Sequence, residues 1–294
     1  MNNSTGYIPS TPDLDLIDKF IVSALAEDAG SGDHSSLASV PADARNKAIL
    51  KVKDVGVLAG VDLAVIILQK IDPEAKVKVL LQDGTLVHKG DIAFEVEANS
   101  RAILLAERLL LNCMQRMSGI ATSTHLLVQL IRGTKAKVID TRKTTPGFRY
   151  FEKWAVVIGG GSNHRFGLYD MIMLKDNHVD YAGGIKNAIL STENYLQRNK
   201  LKLKVEIEVR NLKELDEVLS IGKVNRILLD NFNTIDMLEG VNRINGLFES
   251  EASGGINAEN IRDYALTGVD FISVGSLTHH VKSLDLSLKA MSDK

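Results

Sequence analysis

Apolar positions at Leu14, Ile17, Phe20, Ile21, Ala24 and Leu25 recur at helical spacing and predict a one-sided helix over 13–28. The following EDAGSGDHSS stretch at 27–36 reads as a tight surface loop. Segments 47–60 and 76–98 read as short strands, with Asp83-Gly84 and Lys89-Gly90-Asp91 punctuating alternating runs such as KVKVLL and IAFEVE. From Ser100 to about Met117 the pattern turns helical, with Asn99 or Ser100 as its cap and an apolar face through Ile103, Leu104, Leu110, Leu111 and Met114. At 100° per residue, Arg101, Arg108, Asn112 and Gln115 fall within about 60° of one another and form one polar face. Ser118-Gly119 predicts a break before a second helix that runs to about Arg132.

The second half changes character. Short β-branched runs recur, KVID, MIMLKD, VEIEV, RILLD, LFESEASGG and FISVGS, and helical patterns separate them. Run ends at Glu208, Asp230, Ala252 and Gly275 are spaced by 22, 22 and 23 residues, about one βα unit each. Continuous apolar runs are the mark of buried parallel strands. No glycine-rich dinucleotide fingerprint follows a first strand, so the pattern favours an incomplete α/β barrel of six to seven strands over a Rossmann sheet. The expected fold class is therefore α/β. A β-rich N-terminal part with its connecting helix spans 1–119, and the barrel spans 120–280. A C-terminal helix over 281–294 is expected to return to the N-terminal domain.

Composition narrows the partners. Among 294 residues, 35 Lys and Arg oppose 37 Asp and Glu, a net charge of −2, so nothing global draws the chain to nucleic acid or an anionic membrane. Any anion site must be local. The single Cys113 can form no internal disulfide, which favours a reducing, cytoplasmic setting. The most apolar segment, VLAGVDLAVIIL at 57–68, is interrupted by Asp62 and is short of the ~18 residues of a membrane span. Residues 1–12 lack the features of a secretory signal and read as a loose leader or an early strand.

Chemistry in a barrel belongs at strand exits, and each exit here carries a candidate: Arg142 and Lys143, Lys175, Glu208, Asp230, Ser253-Gly254-Gly255, and Gly275-Ser276. Ser253-Gly254-Gly255 leaves a strand and Asn257 begins a helical pattern, which suggests a phosphate cradle of backbone N–H groups. Segment 140–168 and the following LKDNH concentrate Arg142, Lys143, Arg149, Lys153, His164, Arg165, Lys175 and His178 with few acids, and so call for an anionic partner. The basic segment lacks interleaved aromatics on alternating strand positions, which argues against nucleic acid. Glu208 and Asp230 suit a ribose diol or a hydrated Mg²⁺, or they pair with the cations. Glu206 shares the strand face of Glu208, and pattern alone does not separate them.

The segments EDAGSGD, AERLLLNCMQRMSGIAT, DTRKTTPGFRYFEKWAVVIGGGSNHRFGL, LKDNH, VEIEV, ILLDNF, EASGGI and ISVGSLTH resemble those of the quinolinate phosphoribosyltransferases, from about residue 15 to 290. The resemblance implies an N-terminal α/β sandwich followed by an incomplete barrel. It implies transfer of phosphoribosyl from phosphoribosyl pyrophosphate to quinolinate with loss of CO₂, giving nicotinate mononucleotide and pyrophosphate for NAD synthesis. It further implies Mg²⁺ with the pyrophosphate donor, no organic cofactor, and a homodimer with shared sites, a hexamer being left open. By matching motif, Arg142, His164 and Arg165 would hold the quinolinate carboxylates, and Lys143 and Lys175 would lie between that ring and the diphosphate. Thr141 belongs to the same substrate-binding block. Glu208 and Asp230 would hold ribose hydroxyls and metal waters. Ser253, Gly254, Gly255 and Gly275 would take the 5′-phosphate, and Arg108 would reach into the partner's site. The expected catalytic set is Lys143, Lys175, Glu208 and Asp230.

Overall fold

The computed structural model describes residues 13–291, so the leader or strand expected over 1–12 lies outside the described residues. Along the chain run α1 (Leu14–Ala29), α2 (His34–Ser39), β1 (Arg45–Val52), β2 (Gly56–Val57), α3 (Val61–Ile71), β3 (Lys76–Val79), β4 (Leu86–Val87), β5 (Ile92–Asn99) and α4 (Ser100–Leu130). Then follow β6 (Lys137–Ile139), α5 (Arg149–Ile158), β7 (Met171–Leu174), α6 (Asp176–Tyr181), α7 (Ile185–Arg198), β8 (Lys204–Val209), α8 (Leu212–Ile221), β9 (Arg226–Asp230) and α9 (Thr234–Ile244). The chain closes with β10 (Glu249–Ser253), α10 (Ile261–Leu266), β11 (Phe271–Ser273), α11 (Ser276–His279) and β12 (Leu286–Ala290). Among the described residues, one compact unit holds 126–143 and 161–276, and the other holds 13–125, 144–160 and 277–291.

In the unit that contains α1, four antiparallel strands are ordered β12-β1-β5-β3. Period-two burial of Ala48, Leu50 and Val52 on β1 and of Phe94 and Val96 on β5 supplies its apolar face. Asp13 caps α1 by accepting the Leu16 N–H. The loop expected over 27–36 shrinks to a turn, because α1 runs to Ala29 and Asp33 caps α2 through the Ser36 N–H and hydroxyl.

Two further expectations are corrected here. First, α4 is one unbroken helix through Ser118-Gly119. A Cβ on Gly119 would collide with the Lys282 carbonyl oxygen, so this glycine serves a close backbone approach, and packing overrides its weak helix propensity. Second, the C-terminal segment forms a strand instead of the helix expected over 281–294. Leu284, Leu286 and Leu288 are buried at period two, and β12 completes its hydrogen bonds along the open edge of β1. α5 also belongs to this unit and interrupts the stretch 120–280. Its Phe151 lies 4.5 Å from the Phe20 ring, the Tyr150 hydroxyl accepts the Asp13 N–H at 2.8 Å, and buried Glu152 accepts from Arg116.

Asp83 caps α3 by accepting the Val61 N–H at 2.8 Å. Burial, reinforced by Asp62, pushes its carboxyl up from 3.8 to about 6. The folded protein therefore keeps this proton to a higher pH than the unfolded chain, and the group costs stability as pH rises from about 4 to about 6. Asp83→Asn, which retains the acceptor oxygen, is expected to add ~2 kcal/mol at pH 7 and almost nothing at pH 4. Denaturant melts at the two pH values check it; equal gains at both would contradict the assignment.

In the other unit, six parallel strands are ordered β6-β11-β10-β9-β8-β7, a barrel that does not close. Val205, Ile207, Val209, Ile227, Leu229 and Ile272 make one face of the strands buried and apolar. The registers place Glu206, Arg226 and Glu249 in one row of the opposite face, and Asp230 beside Ser253 in a row nearer the strand ends.

Candidate active site

All six strands run in one direction, so their C-terminal ends share one edge of the sheet. That edge collects Thr141, Arg142 and Lys143 after β6, Lys175 after β7, Glu208 near the end of β8, Asp230 ending β9, Ser253-Gly254-Gly255 at the end of β10, and Gly275 after β11. Chain direction alone thus brings together residues more than a hundred positions apart.

Glu208 is almost buried, and Lys175 Nζ lies 3.3 Å from its Oε2. Burial, with a further push from Asp230, raises the Glu208 carboxyl above its usual range despite that lysine. Two carboxylates that repel one another at a mouth also holding a lysine are ready for a cation or for hydroxyl donors. Asn231 sits in the left-handed region at φ 55° and donates from Nδ2 to Asp230 Oδ2 at 2.6 Å. Its backbone N–H donates to the Ser253 carbonyl at 2.9 Å, which ties the Asp230 corner to the glycine turn. Gly254 and Gly255 follow with φ 98° and 63°. The next helix, α10, starts only at Ile261, because Asn257 and Asn260 form a turn of their own, so the glycines do not open directly into a helix as the sequence suggests. Consecutive N–H groups in that turn, not a helix terminus, are what an anion would meet.

The basic segment is shaped by buried acids. Ser162 pairs with β6 through Val138 and Asp140, and Arg165 Nη1 donates to the Met171 carbonyl at 3.0 Å, so residues 162–171 run from the β6 edge to β7. Fully buried Asp140 accepts the His164 N–H and the Asn163 amide, and Asp170 accepts the Phe166 and Gly167 N–H groups. Burial, then the charge of Arg142, holds the Arg165 guanidinium below its usual value. Two guanidiniums that repel one another at the strand-end edge suit a dianion, although Glu206 and Asp170 offset part of the charge on Arg165. Arg142 and Lys143 are exposed, and the Thr141 hydroxyl accepts the Lys143 N–H at 3.0 Å.

Three other basic residues of the segment have contacts of their own. Arg149 Nε donates to Thr144 Oγ1, Lys153 is fully buried in α5, and His178 Nδ1 accepts the Lys175 N–H. Of the polar face on α4, Arg101 donates to the Leu37 and Val40 carbonyls and Gln115 to the Leu286 carbonyl. Arg108 and Asn112 remain exposed.

Comparison with known proteins gives this mouth its setting. Residues 33–118 match the model of the quinolinate phosphoribosyl transferase N-terminal domain, and residues 120–289 match that of the C-terminal domain. The chain is 47% identical over 297 residues to a chloroplastic nicotinate-nucleotide pyrophosphorylase [carboxylating] of Arabidopsis thaliana, covering 96% of this chain and 84% of the relative. The chain belongs to the quinolinate phosphoribosyltransferase family. A nicotinate-nucleotide pyrophosphorylase [carboxylating] of Mycobacterium leprae is 41% identical, covering 90% of this chain and 94% of the relative. Crystal structures of NadC from Streptococcus pyogenes and of the nicotinate-nucleotide pyrophosphorylase from Francisella tularensis superpose with TM-scores of 0.90 and 0.89. Their identities are 36% and 37%; the matches cover 97% and 99% of this chain and 100% of each neighbour.

For a phosphoribosyltransferase of this family, the oxygen donors Glu208 and Asp230 fit a hard divalent cation such as Mg²⁺. Such an ion would relieve the repulsion that raises Glu208. Sequence reading passed over Asp140, Asp170 and Asn231, which hold the loops in place. In sequence each is indistinguishable from ordinary loop polarity. Glu206 and Glu208 now separate: Glu208 sits at the mouth with Lys175, whereas Glu206 is one row deeper, fully buried, with its Oε2 3.0 Å from His164 Nε2. Burial and the adjacent Glu206 push Glu251, in that same deep cluster, up to about 7.

Proposed function

We propose that this protein transfers the phosphoribosyl group of phosphoribosyl pyrophosphate to the nitrogen of quinolinate, releasing pyrophosphate and CO₂ and forming nicotinate mononucleotide. The observation that carries this reading is the shared strand-end edge, where paired guanidiniums, a lysine–carboxylate pair and a glycine turn meet within family-matched segments. Arg142 and Arg165 hold the two ring carboxylates, and Lys143 and Lys175 lie between that ring and the diphosphate. Ser253, Gly254, Gly255 and Gly275 receive the 5′-phosphate, and Glu208 and Asp230 orient the ribose hydroxyls. Mg²⁺, held through water by Glu208 and Asp230, would neutralise charge on the diphosphate; no organic cofactor is called for.

Bond breaking at the anomeric carbon builds positive charge on the sugar and negative charge on the leaving diphosphate. Positioned lysines beside the diphosphate and carboxylates beside the ribose lower that barrier by electrostatics and orientation. Loss of CO₂ then leaves an electron pair on the ring carbon beside the cationic nitrogen, which stabilises it until a proton from water takes the place of the carboxylate, so the substrate is its own electron sink. Supplying quinolinate, phosphoribosyl pyrophosphate and Mg²⁺ should yield CO₂ and nicotinate mononucleotide in equal amounts. Quinolinate binding without pyrophosphate release would instead mark a sensor.

We also propose that exposed Arg108 completes the site of a second subunit in a homodimer. Mixing inactive Arg108→Ala and Lys175→Ala chains should then restore part of the activity, and mixtures as inactive as their parents would refute sharing. No helix among the described residues is long and apolar enough to cross a membrane. A cytoplasmic location is proposed from the single, buried Cys113, although plant relatives are named as chloroplastic or mitochondrial, and cell fractionation decides it.

A further inference from the structure

The interior of an α/β barrel is ordinarily filled by branched aliphatic side chains. Here the strands hold charge beneath the mouth instead. Glu206 on β8 and Glu251 on β10 are fully buried, and His164 reaches them from the loop that runs from β6 to β7. His164 Nε2 lies 3.0 Å from Glu206 Oε2 and 3.5 Å from Glu251 Oε2. Arg226 on β9 supports the pair: its Nη1 donates to Glu251 Oε2 at 2.9 Å, and its guanidinium carbon lies 3.9 Å from the centre of the Phe271 ring. Charged groups this deep cost several kcal/mol unless closely paired, and apolar residues would serve stability as well. A role in the reaction explains why they are there, yet full burial keeps both glutamates from touching substrate.

The other end of the imidazole shows what that role is. His164 Nδ1 accepts the backbone N–H of Arg165 at 2.6 Å. A ring that accepts at Nδ1 carries its proton on Nε2, and that proton faces the two glutamates. Asp140 holds the His164 N–H at 2.8 Å, so the main chain on both sides of this residue is fixed from within the barrel. The three donor groups lie within 4.8 Å of one another, a spacing a divalent ion could use. Arg226 already supplies the compensating cation, and the Nε2 proton occupies the position such an ion would need.

We propose that His164, Glu206 and Glu251 form a positioning device that sets the backbone, and through it the guanidinium, of Arg165. This rests on the quinolinate reading above. It assigns the buried acids a part in selecting the diacid over the sugar donor.

The test is a double-mutant cycle on the full chain, read as kcat/KM for quinolinate with KM for phosphoribosyl pyrophosphate measured alongside. Glu206→Gln, which preserves volume, is expected to lower kcat/KM for quinolinate about tenfold and to leave KM for the sugar donor within about twofold. In an Arg165→Ala background the same substitution should have almost no further effect, because the group it positions is gone. Glu251→Gln provides the same comparison should Glu206→Gln not fold. Equal losses in both backgrounds, or a joint rise of both KM values with a lowered melting temperature, would overturn the proposal in favour of simple fold support. Stoichiometric divalent metal in the purified protein, lost in Glu251→Gln, would overturn it in favour of a metal site. Should the unmodified protein neither bind nor consume quinolinate, the functional reading fails and this inference with it. Should it turn over normally while the cycle is additive, this inference alone fails.

Discussion

Arg165→Ala is expected to lower kcat/KM for quinolinate by at least about a hundredfold, since losing one partner of a desolvated charge pair typically costs ~2–5 kcal/mol. Arg165 is one of two neighbouring guanidiniums at the strand-end edge, almost buried, with a side chain tethered to the Met171 carbonyl at 3.0 Å. The folded chain should melt close to its original temperature while losing affinity for a dianion. A single-carboxylate analogue should lose less than quinolinate. Initial-rate kinetics with both ring compounds and a thermal melt test the three statements together. Unchanged constants for quinolinate would remove Arg165 from the site.

Gly254→Ala should strike the other half of the site. At φ 98° a side chain is strained, and an added Cβ would collide with the Asn231 amide oxygen and stand 2.9 Å from the Asn231 backbone nitrogen. The amide could swing away, but only by releasing Asp230 Oδ2, and the backbone nitrogen cannot yield without breaking its bond to the Ser253 carbonyl. Strain of ~1–3 kcal/mol is expected at such a position, so kcat/KM for phosphoribosyl pyrophosphate should fall about tenfold to a hundredfold. KM for quinolinate should move far less. A variant that keeps native kinetics toward the sugar donor would show that the glycine turn takes no part in binding it.

Much of the site was legible because chemistry at a barrel mouth sits at strand ends, and strand ends are marked where an apolar run stops. Lys175, Glu208, Asp230, Ser253 and Gly275 were all found that way. Glu206 and Glu208 were not separable, since period two puts both on one face and depth along the strand has no local signature. Asp140, Asp170 and Asn231 were passed over for a related reason: a buried polar residue that positions a loop has the composition of a solvated one.

Misreadings followed the same logic. Gly119 resembled a helix break, but its meaning lies in the Lys282 carbonyl packed against it. Residues 286–290 were expected in a helix, and the open edge of β1 made them a strand.

The amino-acid sequence by itself determined the alternation of apolar runs and helices, the parallel sheet that this alternation demands, and the residue types waiting at each strand exit. Those features are local, because periodicity and strand direction act over a few residues at a time. Only the tertiary structure decided which of the candidates share a pocket, which glutamate lies at the rim and which beneath it, and that His164 turns inward. Those outcomes depend on contacts between segments tens of residues apart, whose cost and benefit appear only when burial strips the water away.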